Sequence, residues 1–196
     1  NSPGLGLHRK GNWREIVRLT DFCLCDQDFF TLRSLVEDFA LKNDLPVWNP
    51  IQNKGFWRNL IIRKSQKTGE ILVEFLIAQK KKKEFWAPLL ENMKQTLPSL
   101  VGILATLHDG VSVVSQDAPT EILWGEESYE EELAEKTFSV SHNAFFQINT
   151  PATEEVIKTL SSLLVKKEGV LLDLFCGAGT LGICLAEKDQ KLIGIE

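Results

Sequence analysis

The chain has 196 residues, 43% hydrophobic and 25% charged, with 13 Gly and 7 Pro. This is globular composition for one large domain or two small ones, and it excludes a disordered, collagen-like or low-complexity chain. No apolar run approaches the roughly 18 residues of a membrane span, and Asn1-Ser2-Pro3-Gly4 does not open a signal peptide. A start without Met is expected of an internal piece of a longer protein. The net charge of −5 is unevenly spread. Residues 1–87 carry 15 Lys/Arg against 10 Asp/Glu, and residues 88–196 carry 7 against 17. The basic part suits a polyanion, and a solvated surface accounts for it equally well. Cys23, Cys25, Cys176 and Cys184 have neither disulfide-framework nor zinc-ribbon spacing. A reducing compartment, the cytoplasm, is therefore expected.

Trp13 to Leu19 alternates and predicts a strand. Asp28 is placed to cap a helix running to about Leu41, with Phe29, Leu32, Leu35, Val36 and Phe39 on one face. Pro46 and Pro50 mark a loop. Trp57–Lys64 and Glu70–Ala78 predict a hairpin turning at Lys67-Thr68-Gly69. Phe85–Leu97 predicts a helix with Pro88 in its first turn. Leu100–Leu107 and Val111–Ser115 flank Asp109-Gly110, a second hairpin signal. The order predicts an α+β domain over 1–120, with helices on one face of a mostly antiparallel sheet.

The acidic run Glu126–Glu135 reads as a solvated hairpin or turn, and Thr137–Ser141 as a short strand. Thr150-Pro151 opens a helix with Val156, Leu160, Leu163 and Leu164 on its apolar face. Leu171–Phe175 and Leu192–Ile195 read as parallel strands buried on both faces. A Gly-rich turn and a helix from Thr180 to about Glu187 lie between them. The fold class is therefore α/β, with 121–196 as the first part of a doubly wound, Rossmann-like domain. Two parallel strands leave apolar faces open, so either further strands come from a longer protein or this piece is only partly stable at its C-terminal end.

Asp173-Leu174-Phe175-Cys176-Gly177-Ala178-Gly179-Thr180 joins strand to helix. Gly177 and Gly179 permit a tight turn and close approach of a ligand, and Glu196 ends the next strand, where an acid takes ribose hydroxyls. Gly177, Gly179 and Gly182 also satisfy G-x-G-x-x-G, whose dinucleotide ligand rests its pyrophosphate on the helix N-terminus. S-adenosylmethionine has no phosphate and carries an ammonium and a sulfonium. A carboxylate such as Asp173 suits those cations, or orients the turn. The turn predicts S-adenosylmethionine, with NAD as the alternative. Cys176 and Cys184 read as small packed residues, not nucleophiles. Arg58, Arg63, Lys64 and Lys67 surround one hairpin, and Lys80–Lys83 follow it, with Trp57 and Trp86 nearby. Such groups track phosphates and stack bases, or they form a solvated loop. His8, His108 and His142 show no triad or metal spacing.

Ser141-His142-Asn143-Ala144-Phe145-Phe146-Gln147-Ile148-Asn149-Thr150, followed by the glycine turn and Ile193-Gly194-Ile195-Glu196, resembles the RNA uracil-5-methyltransferases. Gly55–Arg63 and Gly4–Gly11 resemble upstream segments of that family. The resemblance implies methyl transfer from S-adenosylmethionine to carbon 5 of a uridine in tRNA or rRNA. A cysteine thiolate adds to carbon 6, and a base removes the carbon-5 proton. The base must leave its stack to reach the site. By resemblance, Gln147, Phe175, Thr180 and Glu196 contact the cofactor, and Phe145 lies near the flipped base. Thr180 departs from the family's frequent Asn and retains one hydrogen-bonding group. The family's nucleophilic Cys and its base lie downstream of Glu196, so no catalytic residue is expected in this chain. Cys23 resembles the last cluster ligand of iron–sulfur members, whose other ligands would precede Asn1. One or two thiolates cannot complete a four-ligand cluster, so no metal is expected within this chain. A non-catalytic RNA-binding module and an NAD-dependent oxidoreductase are the alternative functions.

Overall fold

The computed structural model describes residues 4–18, 22–110, 118–164 and 169–196, with Trp13 described by its backbone alone. The chain divides into two units, Asn1–Lys64 with Glu70–Glu127, and Ser65–Gly69 with Ser128–Glu196.

In the first unit, β1 (Leu7–Arg9) pairs antiparallel with β2 (Asn12–Val17). The expected strand end at Leu19 lies outside the described residues. Helix α1 (Gln27–Lys42) is capped at Asp26 rather than Asp28. Asp28 falls instead in the first turn, where its carboxylate and that of Asp26 each lie 2.7 Å from Lys64 Nζ. Strands β3 (Trp57–Lys64) and β4 (Ile71–Ile77) form the expected hairpin, in register Leu60↔Phe75 and Ile62↔Val73. Helix α2 (Lys83–Thr96) begins earlier than expected, inside the lysine run. Pro88 therefore stands in the second turn, where it supplies no N–H to the carbonyl one turn back.

Strand β5 (Leu100–Leu107) follows α2 and runs parallel to β4. A helical crossover returns the chain to the starting edge, so the two strands must point the same way. The antiparallel partner of β5 is β6 (Thr120–Gly125), through Thr106↔Thr120. The expected strand Val111–Ser115 lies outside the described residues. The sheet order is β3-β4-β5-β6, with two antiparallel pairings and one parallel. Strand β6 lies mostly beyond the expected boundary at 120 and completes the first unit's sheet.

One face of this sheet packs on both helices. Ile71, Val73, Phe75 and Ile77 of β4, with Ile103 and Ala105 of β5, join Leu32, Val36 and Phe39 of α1 and Trp86, Leu89 and Met93 of α2 in one core. Trp86 is its centre. Its ring stacks on Phe75 at 5.2 Å and meets Phe85 and Trp57 edge-on at 5.0 and 5.8 Å. Such pairs add stability beyond the area they bury.

In the second unit, β7 (Ser128–Leu133) and β8 (Lys136–Ser141) form a hairpin through Ala134 and Glu135, both at positive φ. Two such residues give a turn whose twist matches the strands. Helix α3 (Thr150–Leu163) is capped by Asn149, not Thr150, with the Asn149 side chain accepting from Ala152 N at 3.2 Å. Its buried stripe is Thr150, Thr153 and Ile157, whereas the expected Val156 and Leu163 are exposed. Burial of Thr153 is tolerated because its hydroxyl donates to Asn149 O at 2.9 Å. Strands β9 (Val170–Leu174) and β10 (Lys191–Ile195) are parallel, with α4 (Thr180–Leu185) between them. They are not buried on both faces. Val170, Leu172 and Leu174 are exposed, while Leu171 and Asp173 are half-buried. Among the described residues, the face toward α4 is the covered one.

Replacing Trp86 by Ala removes the centre of the aromatic core. The expected cost is about 3–5 kcal/mol, read as a lowered denaturant midpoint with an unchanged slope.

Candidate functional site

The glycine turn is built by three backbone conformations that ordinary residues avoid. Phe175 has φ +59°, Gly177 φ +54° and Gly179 φ +74°. Gly179 N donates to Cys176 O at 2.7 Å, which closes the turn. Cys176 N donates to Ile195 O at 3.1 Å, and Gly177 N donates to Glu196 Oε2 at 2.7 Å. The turn after β9 is thereby tied to the end of β10. A Cβ at Gly177 would meet nothing within 4 Å, so the space above the turn is open. Phe175 beside it is 91% exposed.

Below the turn the packing is tight. Asp173 Oδ2 accepts from Gly182 N at 2.9 Å. A Cβ on Gly182 would lie 2.7 Å from that oxygen and 2.9 Å from Leu192 Cδ1. The third glycine of the fingerprint therefore serves the approach of α4 to the sheet. A pyrophosphate needs open N–H donors and positive potential. Here two carboxylates already hold the N–H groups of Gly177 and Gly182. This electrostatic arrangement opposes a dinucleotide and suits a cationic ligand. Thr180 is the first residue of α4 and is buried.

The Phe145–Asn149 segment links β8 to α3. Phe146 is buried against the ring of Phe138 at 5.6 Å, which turns its neighbours outward. Phe145 is 77% exposed and Gln147 is exposed. Asn149 ends the segment as the α3 cap.

The basic–aromatic pattern is rearranged. Trp57 and Trp86 belong to the core and offer no stacking surface. Arg58 Nη1 donates to His108 O at 2.8 Å and to Gly110 O at 2.7 Å, and its guanidinium lies 4.5 Å from the Trp48 ring centroid. Burial lowers the Arg58 pKa, against the opposing charge of Asp109. Arg63 is half-buried on β3, paired with Leu72. For the Lys64 ammonium, burial lowers the pKa, and the hydrogen bonds and charges of Asp26 and Asp28 outweigh it, so the net shift is upward. Lys81 lies over Phe56 and Phe85. Lys80, Lys82 and Lys83 are exposed.

One residue escaped the sequence reading. The acidic run forms a hairpin, but Glu131 is buried within it. Its carboxylate accepts from Ser65 Oγ at 3.0 Å, Gln66 N at 2.9 Å, Lys67 N at 3.3 Å and Glu132 N at 3.1 Å. Lys67 Nζ also reaches Glu154 of α3 at 3.2 Å. The signal was its position: Tyr129, Glu131 and Leu133 alternate on the buried face of β7.

Cys184 is half-buried and burial pushes its thiol pKa up, opposed by Lys136. Cys23 is exposed. Among the described residues no group of three or more His, Cys, Asp or Glu is placed to hold a metal, and no helix is long and apolar enough to cross a membrane.

A family model described as tRNA (Uracil-5-)-methyltransferase matches residues 64–196. An uncharacterized RNA methyltransferase of Caldanaerobacter subterraneus is 35% identical over 98% of this chain and 43% of its own length. One from Clostridium acetobutylicum is 33% identical over 98% of this chain and 42% of its own. The chain thus spans less than half the length of these relatives. The crystal structure of a Pyrococcus abyssi tRNA (uracil-54, C5)-methyltransferase, in complex with S-adenosyl-L-homocysteine, superposes with a TM-score of 0.77 at 25% identity. That match covers 97% of this chain and 45% of the other.

Glu131→Ala strips the acceptors from the turn at 65–69. A loss of about 3 kcal/mol is expected, with accelerated proteolytic cleavage of that turn. Iodoacetamide is expected to label Cys23 well before Cys184 at neutral pH, since a buried thiol with a raised pKa holds its proton; mass spectrometry of the labelled peptides checks this.

Proposed function

As the chain belongs to the tRNA (uracil-5-)-methyltransferase family, we propose that it forms part of an enzyme that methylates carbon 5 of a uridine in tRNA or rRNA. The observation that carries this reading is the Glu196–Gly177 bond, which sets a carboxylate beside an open glycine turn at the carboxyl ends of two parallel strands. S-adenosylmethionine supplies the methyl group when bound. A carboxylate has about four lone-pair sites, so Glu196 can hold Gly177 N and also accept two ribose hydroxyls. Phe175 offers an exposed ring for the adenine, and Gly177 and Gly179 let it approach the backbone. Asp173 orients α4 beneath the turn and adds negative potential toward the cationic end. Gln147 and Thr180 complete the cofactor contacts. Phe145 stands beside the base taken out of the RNA stack.

In this reading the nucleophilic cysteine and the proton-abstracting base come from the rest of a full-length enzyme. Ser128–Glu196 is the first part of the methyltransferase domain, and the first unit, whose excess of basic groups lies within residues 1–87, is a central domain that meets RNA, Arg63 included. Arg58 acts there by holding the loop after β5 rather than as a free phosphate ligand. The enzyme works in the cytoplasm.

Calorimetry on the full-length protein tests the cofactor site. S-adenosylhomocysteine is expected to bind and NAD is not. Glu196→Ala is expected to weaken binding roughly 10- to 100-fold, the worth of hydrogen bonds to a charged group. NAD binding without S-adenosylhomocysteine binding would overturn the assignment, as would uridine transcripts of tRNA and rRNA that gain no carbon-5 methyl.

A further inference from the structure

The first unit contains a cleft of about 360 Å³ that the glycine turn does not use. It is lined by Trp48, Asn53, Lys54, Gln79 and Asp109, among others. Gln79 follows the end of β4 and Asp109 follows the end of β5. The cleft therefore lies outside the carboxyl ends of the one parallel pair in this sheet. Ligands of open α/β sheets gather at that end, because the strands present their loops there.

The Trp48 wall is held in place by backbone and side-chain contacts. Trp48 N donates to Trp57 O at 2.8 Å. Gly55 has φ +136°, and a Cβ there would fall 2.5 Å from Trp48 Cα, so the two backbone segments are in direct contact. Arg58 lies against the Trp48 ring and is pinned by two carbonyls of the loop after β5. The indole is thus a held platform, which lowers the ordering cost of binding.

The lining chemistry selects the ligand. An aromatic ring accepts a base by stacking whatever its identity. The Asn53 and Gln79 amides each offer a donor and an acceptor, as a base edge requires. Asp109 accepts from a ribose hydroxyl or an exocyclic amine and repels phosphate. Lys54 attracts phosphate, and exposed Lys80 follows Gln79 directly. A bare anion is disfavoured by Asp109. A DNA nucleotide lacks the 2′-hydroxyl that the carboxylate can hold. The volume falls in the lower part of the roughly 300–1,000 Å³ range of small-ligand sites, which is room for one nucleotide.

We propose that this cleft holds one unstacked nucleotide of the RNA, so that the first unit reads the substrate at a place separate from the glycine turn. The inference rests on the RNA reading given above, and its test is independent of methyl transfer. In the full-length protein, binding of fluorescent unmodified tRNA and rRNA transcripts is measured by anisotropy. The double variant Lys54→Ala, Gln79→Ala changes two exposed side chains outside the core. It is expected to weaken RNA binding about tenfold, within the range of a lost base contact. Its affinity for S-adenosylhomocysteine is expected to match the parent. Trp48→Phe is expected to keep most of the RNA affinity. Unchanged binding of both transcripts by the double variant overturns the proposal. Methyl transfer is assayed in parallel with the unaltered protein; its absence strikes the proposed reaction and leaves the cleft to the binding result.

Discussion

Backbone N–H groups at turns, helix starts and irregular segments have no ladder partner to accept them, and in this protein a carboxylate supplies the acceptor again and again. Glu131 gathers the turn at 65–69. Glu196 holds Gly177, and Asp173 holds Gly182. In the first unit Glu37, buried on α1, accepts from Leu5 N at 2.8 Å while pairing with Arg18. A buried carboxylate is costly alone and stable when several donors converge on it. The acidic composition is thus partly structural. The glycine turn follows from this constraint, because its open upper side and its filled lower side are both set by where the two carboxylates bind.

That division of the turn decides which ligand it suits. The same three glycines serve a dinucleotide site when the N–H groups point at a pyrophosphate. Here the third glycine, Gly182, packs α4 on the sheet as it also does in a dinucleotide site, but the N–H groups of Gly177 and Gly182 are held by carboxylates. The local electrostatics then favour a ligand with a ribose and a positive centre. The exposed Phe145 and Gln147 owe their outward direction to Phe146, whose burial anchors the segment from within.

Several elements were legible in the sequence because local rules agreed. The hairpin of β3 and β4, the helices and the βαβ order all followed from periodicity and turn residues. The errors arose where a partner distant in sequence intervened. Lys64 bridges Asp26 and Asp28, and α1 starts at Gln27, so Asp28 falls in its first turn. Trp57 and Trp86, read as candidates for base stacking, are drawn into the core with Phe75. Glu131 looked like one acid among many, although its place between Tyr129 and Leu133 marked it as inward-facing.

The sequence by itself determined the family, the order of elements and the glycine turn with its terminal acid, since each is written in contiguous residues whose backbone demands are local. Only the tertiary structure decided which polar groups are spoken for. Arg58 binds two carbonyls rather than standing free, Asp173 faces helix α4, and β9 covers one face while exposing Val170, Leu172 and Leu174. These outcomes depend on which surfaces meet after the chain has folded, and hydrogen bonding and burial between residues far apart in sequence leave no periodic trace to read.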